Sequence, residues 1–239
     1  MSFRADFDKN RILRGLPDAE LKLMAADLLP ATFALNETVF EQGAPLEEVY
    51  FPVEASFSVI KLLRDGTAIE VSTVGKEGMG GIVAVLRAKT HTARTIIQLP
   101  GAAYRMSIDR FHEHYKLRPH FHETITRYTQ VTYYALSQAI ACNRFHPINE
   151  RCAKWLLMTN DRAGKHFPMT HEFLALMLGV NRPTVTLAAS TFQDAGLIRY
   201  SRGVMTVLDR KGLEEASCEC YGDTAAELER LVPDRPLRA

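Results

Sequence analysis

Three groups of residues in this 239-residue chain have types and spacings that could do chemistry. The first is Asn181-Arg182-Pro183-Thr184, followed at helical spacing by Thr186 and Ser190. Amide, guanidinium and hydroxyl groups at a helix start suit an anionic polymer. Exposed helix N–H groups attract phosphate oxygens, and a guanidinium can pair two-pronged with guanine O6 and N7. The second is His112-x-His114 and His120-x-His122, which straddle Lys116-Leu117-Arg118-Pro119. Helical residues at i and i+2 point about 200° apart, so neither pair chelates alone, and solvated or hinge histidines are expected. The third is Cys142, Cys152 and Cys218-x-Cys220. Four thiols suffice for an iron–sulfur cluster, but this spacing matches no ligand pattern. The readings are a thiol redox switch at Cys218-x-Cys220 or idle thiols in a reducing cytosol. No metal site is expected. The chain has no G-x-S-x-G, Walker loop, H-E-x-x-H or dinucleotide fingerprint, so it does not read as an enzyme.

The elements around the first group give it a setting. Thr170 reads as a helix N-cap, and Phe173, Leu174, Met177 and Leu178 as the buried face of a short helix that Gly179 ends. Asn181 caps a second helix, with Val185, Ala189 and Phe192 on one face and Arg182, Thr186, Ser190 and Gln193 on the other. Gly196 closes it, and Leu197 to Val207 reads as a two-stranded wing bearing Arg199 and Arg202. This is a winged helix-turn-helix pattern, with Arg182 facing bases and Asn181 and Thr184 facing phosphates.

Upstream, Ala31 to Met106 carries short β-branched and aromatic runs between turn signals, including Asp65-Gly66, as in an antiparallel roll. From Arg118 to Asn143 one long helix is predicted, with Pro119 in its first turn. Phe121, Ile125, Tyr128, Thr132, Ala135, Ala139 and Cys142 form an a/d seam on it, and Tyr133, Leu136 and Ile140 a second stripe. Two apolar faces suggest a homodimer, and the seam from Phe121 to Ala139 is the expected interface. The domain limits that follow are 1–117 for the roll with its N-terminal helices, 118–143 for the dimerisation helix, 144–217 for the winged helix and 218–239 for a tail.

Composition agrees with a folded chain, with 46% hydrophobic and 24% charged residues. The apolar runs fall far short of the about 20 residues a membrane helix needs. The charged N-terminus MSFRADFDKNRIL is unlike a signal peptide, so a cytoplasmic protein is expected. The net charge of +1 hides a split. Pro30 to Gly80 holds eight acids against three bases, whereas Cys142 to Gly212 holds ten bases against five acids. The basic half is the one that reads as a DNA-binding module.

The order of roll with its VFEQGAP turn, glycine-bearing turn, long helix and winged helix resembles the Crp/Fnr (catabolite activator) superfamily of bacterial transcription regulators, over about Leu21 to Leu213. VNRPTVT is similar to that family's recognition-helix start. The resemblance implies an α+β fold, a cyclic-nucleotide-binding-like β-roll (jelly roll), base contact by Arg182, and backbone contact by Thr170 and His171. Its partners would be double-stranded DNA, a second copy of the chain and, for an activator, RNA polymerase. Pro183 stands where some relatives have glutamate, and Leu187 where some have a second base-reading arginine. In relatives that bind cyclic AMP, a glycine–glutamate pair meets the ribose and an arginine followed by serine or threonine meets the phosphate. Here the matching stretches are Gly80-Gly81-Ile82 and His91-Thr92, so both the acid and the arginine are missing. Arg94 is the nearest substitute cation on that strand.

The expectation is a homodimeric regulator of a palindromic operator whose roll does not bind cyclic AMP in the usual way. No cofactor is resident, and a cyclic nucleotide or other small effector would be its controlling ligand. The alternatives are a cyclic-nucleotide- or redox-responsive regulator and a dimeric scaffold that binds no DNA.

Overall fold

The computed structural model describes residues 6–234. The first residues of the charged N-terminus, and Arg235 and Arg238 of the tail, lie outside them. Contacts divide the chain into two units. One comprises 1–59, 72–134 and 226–239, the other 60–71 and 135–225.

The first unit begins with two short helices, α1 (Arg11–Arg14) and α2 (Asp18–Met24), separated at Gly15-Leu16-Pro17. Asn10 is buried and makes four hydrogen bonds. Its Oδ1 accepts from the amides of Ile12 and Leu13, capping α1. Its Nδ2 donates to the carbonyls of Pro52 and Gly78 at 2.8 and 2.9 Å. One side chain thus fastens the N-terminal helix to the end of a roll strand at Pro52 and to the loop at Gly78.

The strands are β1 (Leu29–Phe33), β2 (Thr38–Phe40), β3 (Glu48–Pro52), β4 (Ser56–Leu62), β5 (Ala68–Val74), β6 (Arg94–Leu99) and β7 (Gly101–Ser107). They form two sheets, ordered β1-β7-β3 and β2-β6-β4-β5. Strand β7 pairs antiparallel with both neighbours, Phe33 opposite Gly101 and Glu48 opposite Ser107. The Asp65-Gly66 signal is a tight hairpin, with Gly66 at φ 87° and Leu63 N–H donating to Thr67 at 2.8 Å. Phe33, Phe57, Val74, Ile97 and Ala103 fill the space between the sheets. A larger core joins Val49, Phe51 and Met106 of the roll to Leu21 and Met24 of α2 and to Phe111 of α3 (Ile108–Leu117).

Helix α4 runs Pro119–Phe145, 27 residues, with Pro119 in its first turn as expected. Glu20 of α2 caps it, accepting from the amides of His120 and Phe121 at 3.2 and 3.0 Å. The seam assigned to a dimer interface needs correction over its first half. Phe121, Ile125 and Tyr128 are buried inside the protomer, with Phe51 and Phe111. Gly78 shows how close this packing is, since a Cβ there would lie 1.9 Å from the Tyr128 hydroxyl. Thr132, Ala135 and Ala139 are half-buried. The exposed apolar stripe is the second one, with Tyr133 and Ile140 each 74% exposed and Leu136 beside them.

The second unit contains α5 (Ile148–Ala163), β8 (His166–Pro168), α6 (His171–Leu178), α7 (Arg182–Asp194), β9 (Ile198–Ser201), β10 (Val204–Val207), α8 (Arg210–Glu215) and the start of α9 (Cys220–Leu231). Its sheet has the order β8-β10-β9. The β4–β5 hairpin tip belongs to this unit, and Trp155 Nε1 donates to Glu70 at 2.7 Å. The end of α9 belongs to the first unit, where Glu229 pairs with Arg11 at 2.6 Å. Among the described residues no helix is long and apolar enough to cross a membrane.

Asn10→Ala should lower stability by about 2–3 kcal/mol, because it leaves buried carbonyls and amides unpaired. Urea unfolding followed by tryptophan-independent circular dichroism measures this. Asn10→Asp, which keeps the cap but loses both donations, should fall close to it.

Candidate nucleic-acid interface

The helix-turn-helix is built from the caps its sequence announces. Thr170 is exposed and its hydroxyl accepts from Phe173 N–H at 3.1 Å, starting α6. Gly179, at φ 64° and ψ 38°, ends α6 in the left-handed conformation. Arg151 of α5 donates to the Leu178 carbonyl at 2.6 Å, satisfying the helix end. Asn181 then caps α7, its Oδ1 accepting from both the amide and the hydroxyl of Thr184 at 3.0 and 2.7 Å. Val185, Ala188, Ala189 and Phe192 are buried, while Arg182, Thr186 and Leu187 face solvent and Ser190 is half-buried.

Arg182 is exposed and paired with Glu172 of α6, Nη1 to Oε1 2.7 Å. The carboxylate engages one nitrogen of the guanidinium, whose side chain stays largely exposed. Gln193 is engaged elsewhere, its Oε1 accepting from Tyr200 N–H at 2.9 Å. At the wing tip Arg202 and Gly203 have φ of 50° and 78°, the two left-handed residues of a tight hairpin turn. Arg199 and Arg202 are both exposed.

His171 departs from the role that resemblance implies. It is 9% exposed, its Nδ1 lies 2.9 Å from the Thr186 hydroxyl, and its ring stacks on Tyr200 at 4.3 Å. Thr186 donates to the Arg182 carbonyl at 3.1 Å, which leaves its oxygen to accept from the Nδ1–H of His171. The ring thus ties α6, α7 and the wing together rather than facing outward. Burial first, and then the charge of Arg182, hold its pKa below the usual histidine value.

In the roll, Gly80 pairs through its backbone with Tyr50. Gly81 has φ 84°, and a Cβ there would meet the Glu48 carbonyl at 3.3 Å. Ile82 begins a single 3₁₀ turn, Ile82–Leu86. His91 is 6% exposed and stacks on Phe40 with ring centres 3.7 Å apart, and burial lowers its pKa. Phe40 in turn contacts Tyr50, which meets Phe33 and Phe57 edge-on. Thr92 is exposed beside it. Arg94 is committed to Glu41 by two hydrogen bonds of 2.8 and 2.9 Å. Arg105 pairs with Glu48, which also accepts from the Tyr50 hydroxyl.

The four paired histidines have separate partners. These are the Ala84 carbonyl for His112, Asp27 for His114, Glu20 for His120 and the Tyr115 carbonyl for His122. The cysteines behave differently. Cys142, Cys218 and Cys220 converge with His146, a residue that sequence reasoning did not single out. Its signal was present, since His146 lies one helical turn after Cys142. The Cys142 thiol is pulled down to about 4, chiefly by the hydrogen bond from Cys218, with help from His146 and Lys154. Burial pushes the separate Cys152 up to about 12.

A β-roll followed by a long helix and a winged helix with an arginine at its capped recognition-helix start defines a two-module DNA-binding regulator. Comparison with known proteins agrees. Residues 30–116 match the cyclic nucleotide-binding domain and residues 150–216 the Crp-like helix-turn-helix domain. The chain belongs to the Crp/Fnr family and is a Crp-like transcriptional regulator with a helix-turn-helix DNA-binding domain. A CRP-like cAMP-activated global transcriptional regulator of Mycobacterium tuberculosis is 24% identical over 212 residues, covering 84% of this chain and 94% of the relative. The fold is shared with FixK2 of Bradyrhizobium japonicum, at TM-score 0.69 and 15% identity over 80% of this chain and 98% of that one. It is also shared with the c-di-GMP responsive global regulator CLP of Xanthomonas campestris, at TM-score 0.65 and 14% identity over 80% and 99%.

Because His91 and His171 have folded-state pKa values below the unfolded value of 6.5, the unfolded chain takes up their protons first. Their contribution is complete above about pH 6.5 and is lost as pH falls toward the depressed folded values. Thermal unfolding should shift down between pH 7 and 5, and His91→Gln should flatten part of that slope.

Proposed function

We propose that the chain binds a palindromic operator as a homodimer, one recognition helix α7 entering the major groove of each half-site. The observation that carries this is the capped start of α7, where Arg182 is exposed while the opposite face is buried. Arg182 exchanges Glu172 for a guanine edge, and Thr170, Thr184 and the wing arginines Arg199 and Arg202 meet phosphates. Leu187, exposed one turn further on, offers methyl groups suited to a thymine methyl. His171 and Thr186 hold α7 in place, and Ser190 lies at the edge of the reading face.

The dimer forms along α4, where Tyr133, Leu136 and Ile140 present an exposed apolar stripe. Thr132, Ala135 and Ala139 flank it and complete the contact. Two half-sites about 34–36 Å apart, one turn of DNA, follow from such a two-fold. Movement of the paired helices would set that spacing and so control binding. When the regulator activates, RNA polymerase is its further partner.

The roll does not hold a cyclic nucleotide in the manner of a cyclic AMP-activated relative. A cyclic phosphate needs a charge-assisted partner, and the position at His91 is a buried, neutral, stacked ring. Arg94 is already committed to Glu41. The control ligand is therefore a different small molecule, or DNA binding is unconditional.

Fluorescence anisotropy against a randomised palindromic library, with and without cyclic AMP and cyclic GMP, tests this reading. One sequence should be selected without nucleotide, with affinity falling steeply in salt. Selection only with nucleotide would overturn the view of the roll, and non-specific binding throughout would favour the scaffold. Arg182→Ala should cost about 1–3 kcal/mol at one base pair of each half-site, whereas uniform weakening would make Arg182 a phosphate contact. Tyr133→Glu with Ile140→Glu should give monomers by sedimentation and abolish palindrome selection.

A further inference from the structure

We propose that Cys142, His146, Cys218 and Cys220 hold one zinc ion in a closed tetrahedral site that fastens the segment after the winged helix to the end of α4. The four ligand atoms lie within 4.8 Å of one another, although the residues come from positions 76 apart in sequence. The Cys142 and Cys218 sulfurs are 3.6 Å apart, and the Cys220 sulfur is 3.4 Å from His146 Nδ1. Zinc binds thiolate at about 2.3 Å and imidazole at about 2.0–2.1 Å, which around a tetrahedron separates S from S by about 3.8 Å and S from N by about 3.5 Å. These two separations lie close to those edges, and every other pair of ligand atoms is within 4.8 Å. A disulfide would bring sulfurs to about 2.05 Å, and the cysteines are free. An iron–sulfur cubane gives each thiolate a different iron and so spreads its ligands further than a single ion does.

The surroundings are arranged as a metal site requires. All three cysteines are buried. His146 Nε2 faces the carboxylate of Glu219 at 3.3 Å, which fixes the proton on Nε2 and leaves Nδ1 as the ligand atom turned toward Cys220. Gln138 Nε2 donates to the Cys220 sulfur at 3.3 Å, as amides do around metal thiolates. Three thiolates and one Zn²⁺ leave a charge of −1, and Lys154 lies close enough to act on Cys142 and Cys220. Three thiolates with one imidazole select zinc over magnesium or calcium, and four protein ligands leave no position for a substrate. The site is therefore structural. Cys152 takes no part in it.

The test needs no DNA and stands apart from the operator reading. Full-length protein is purified under reducing, chelator-free, anaerobic conditions, and its metal and labile sulfide are measured. One zinc per chain and no sulfide are expected. Replacement by Co²⁺ should give the intense visible and thiolate-to-cobalt absorption of a tetrahedral sulfur-rich site, a readout on the unmutated protein. Cys218→Ser should retain less than about one tenth of the zinc, whereas Cys152→Ala should retain all of it. The proposal fails if the protein carries no zinc and takes none up on dialysis against Zn²⁺, or if iron and sulfide are found together. It fails equally if Cys142 and Cys218 are isolated as a disulfide, or if cobalt binds without thiolate absorption.

Discussion

Helix α4 spends its first apolar residues on the core shared with the roll and exposes an apolar stripe further along, and much else follows from that asymmetry. Its first three turns spend Phe121, Ile125 and Tyr128 on the core shared with the roll. That burial fixes the helix direction, and Gly78 and Glu20 hold its start in place through close packing and capping. Beyond Val131, the large apolar side chains of Tyr133, Leu136 and Ile140 are exposed. A helix anchored over three turns can carry such a stripe without unravelling. Exposed large apolar side chains of this kind are what the proposed second copy would cover.

The winged helix is held by a different kind of constraint. Its apolar face is ordinary core, but the register of α6, α7 and the wing passes through one imidazole. His171 touches Thr186 by hydrogen bond and Tyr200 by stacking, and Thr186 touches the backbone of Arg182. Arg182, the proposed base contact, is thus positioned two contacts away from an imidazole whose pKa burial lowers. The pair between Arg182 and Glu172 adds a second feature, because a carboxylate of α6 partners the cation at the start of α7.

Local signals made most of the architecture legible. Thr170, Gly179 and Asn181 are caps whose geometry depends on a few neighbouring residues, and the structure places them as the spacing requires. The Asp65-Gly66 turn is of the same kind. What periodicity alone did not settle was which stripe of α4 faces inward, because an a/d pattern is identical for a core and for a dimer seam. Only the tertiary position of Phe51 and Phe111 separates the two. His171 was misassigned for a related reason, since exposure at the start of a helix depends on what packs over it. The thiol cluster was hidden because its halves are far apart in sequence and join only when the chain returns after α8.

That return has a consequence for how such a protein can be built. Cys142 and Cys218 bracket the whole winged helix, yet their sulfurs lie 3.6 Å apart, so the chain leaves this module beside the point where it came in. A module whose ends coincide can be lifted out and set into another host with little strain on either side. The DNA-reading segment is in this sense a cassette, and its reading surface could be exchanged for one of another specificity while the stem around residues 142 and 218 is left untouched.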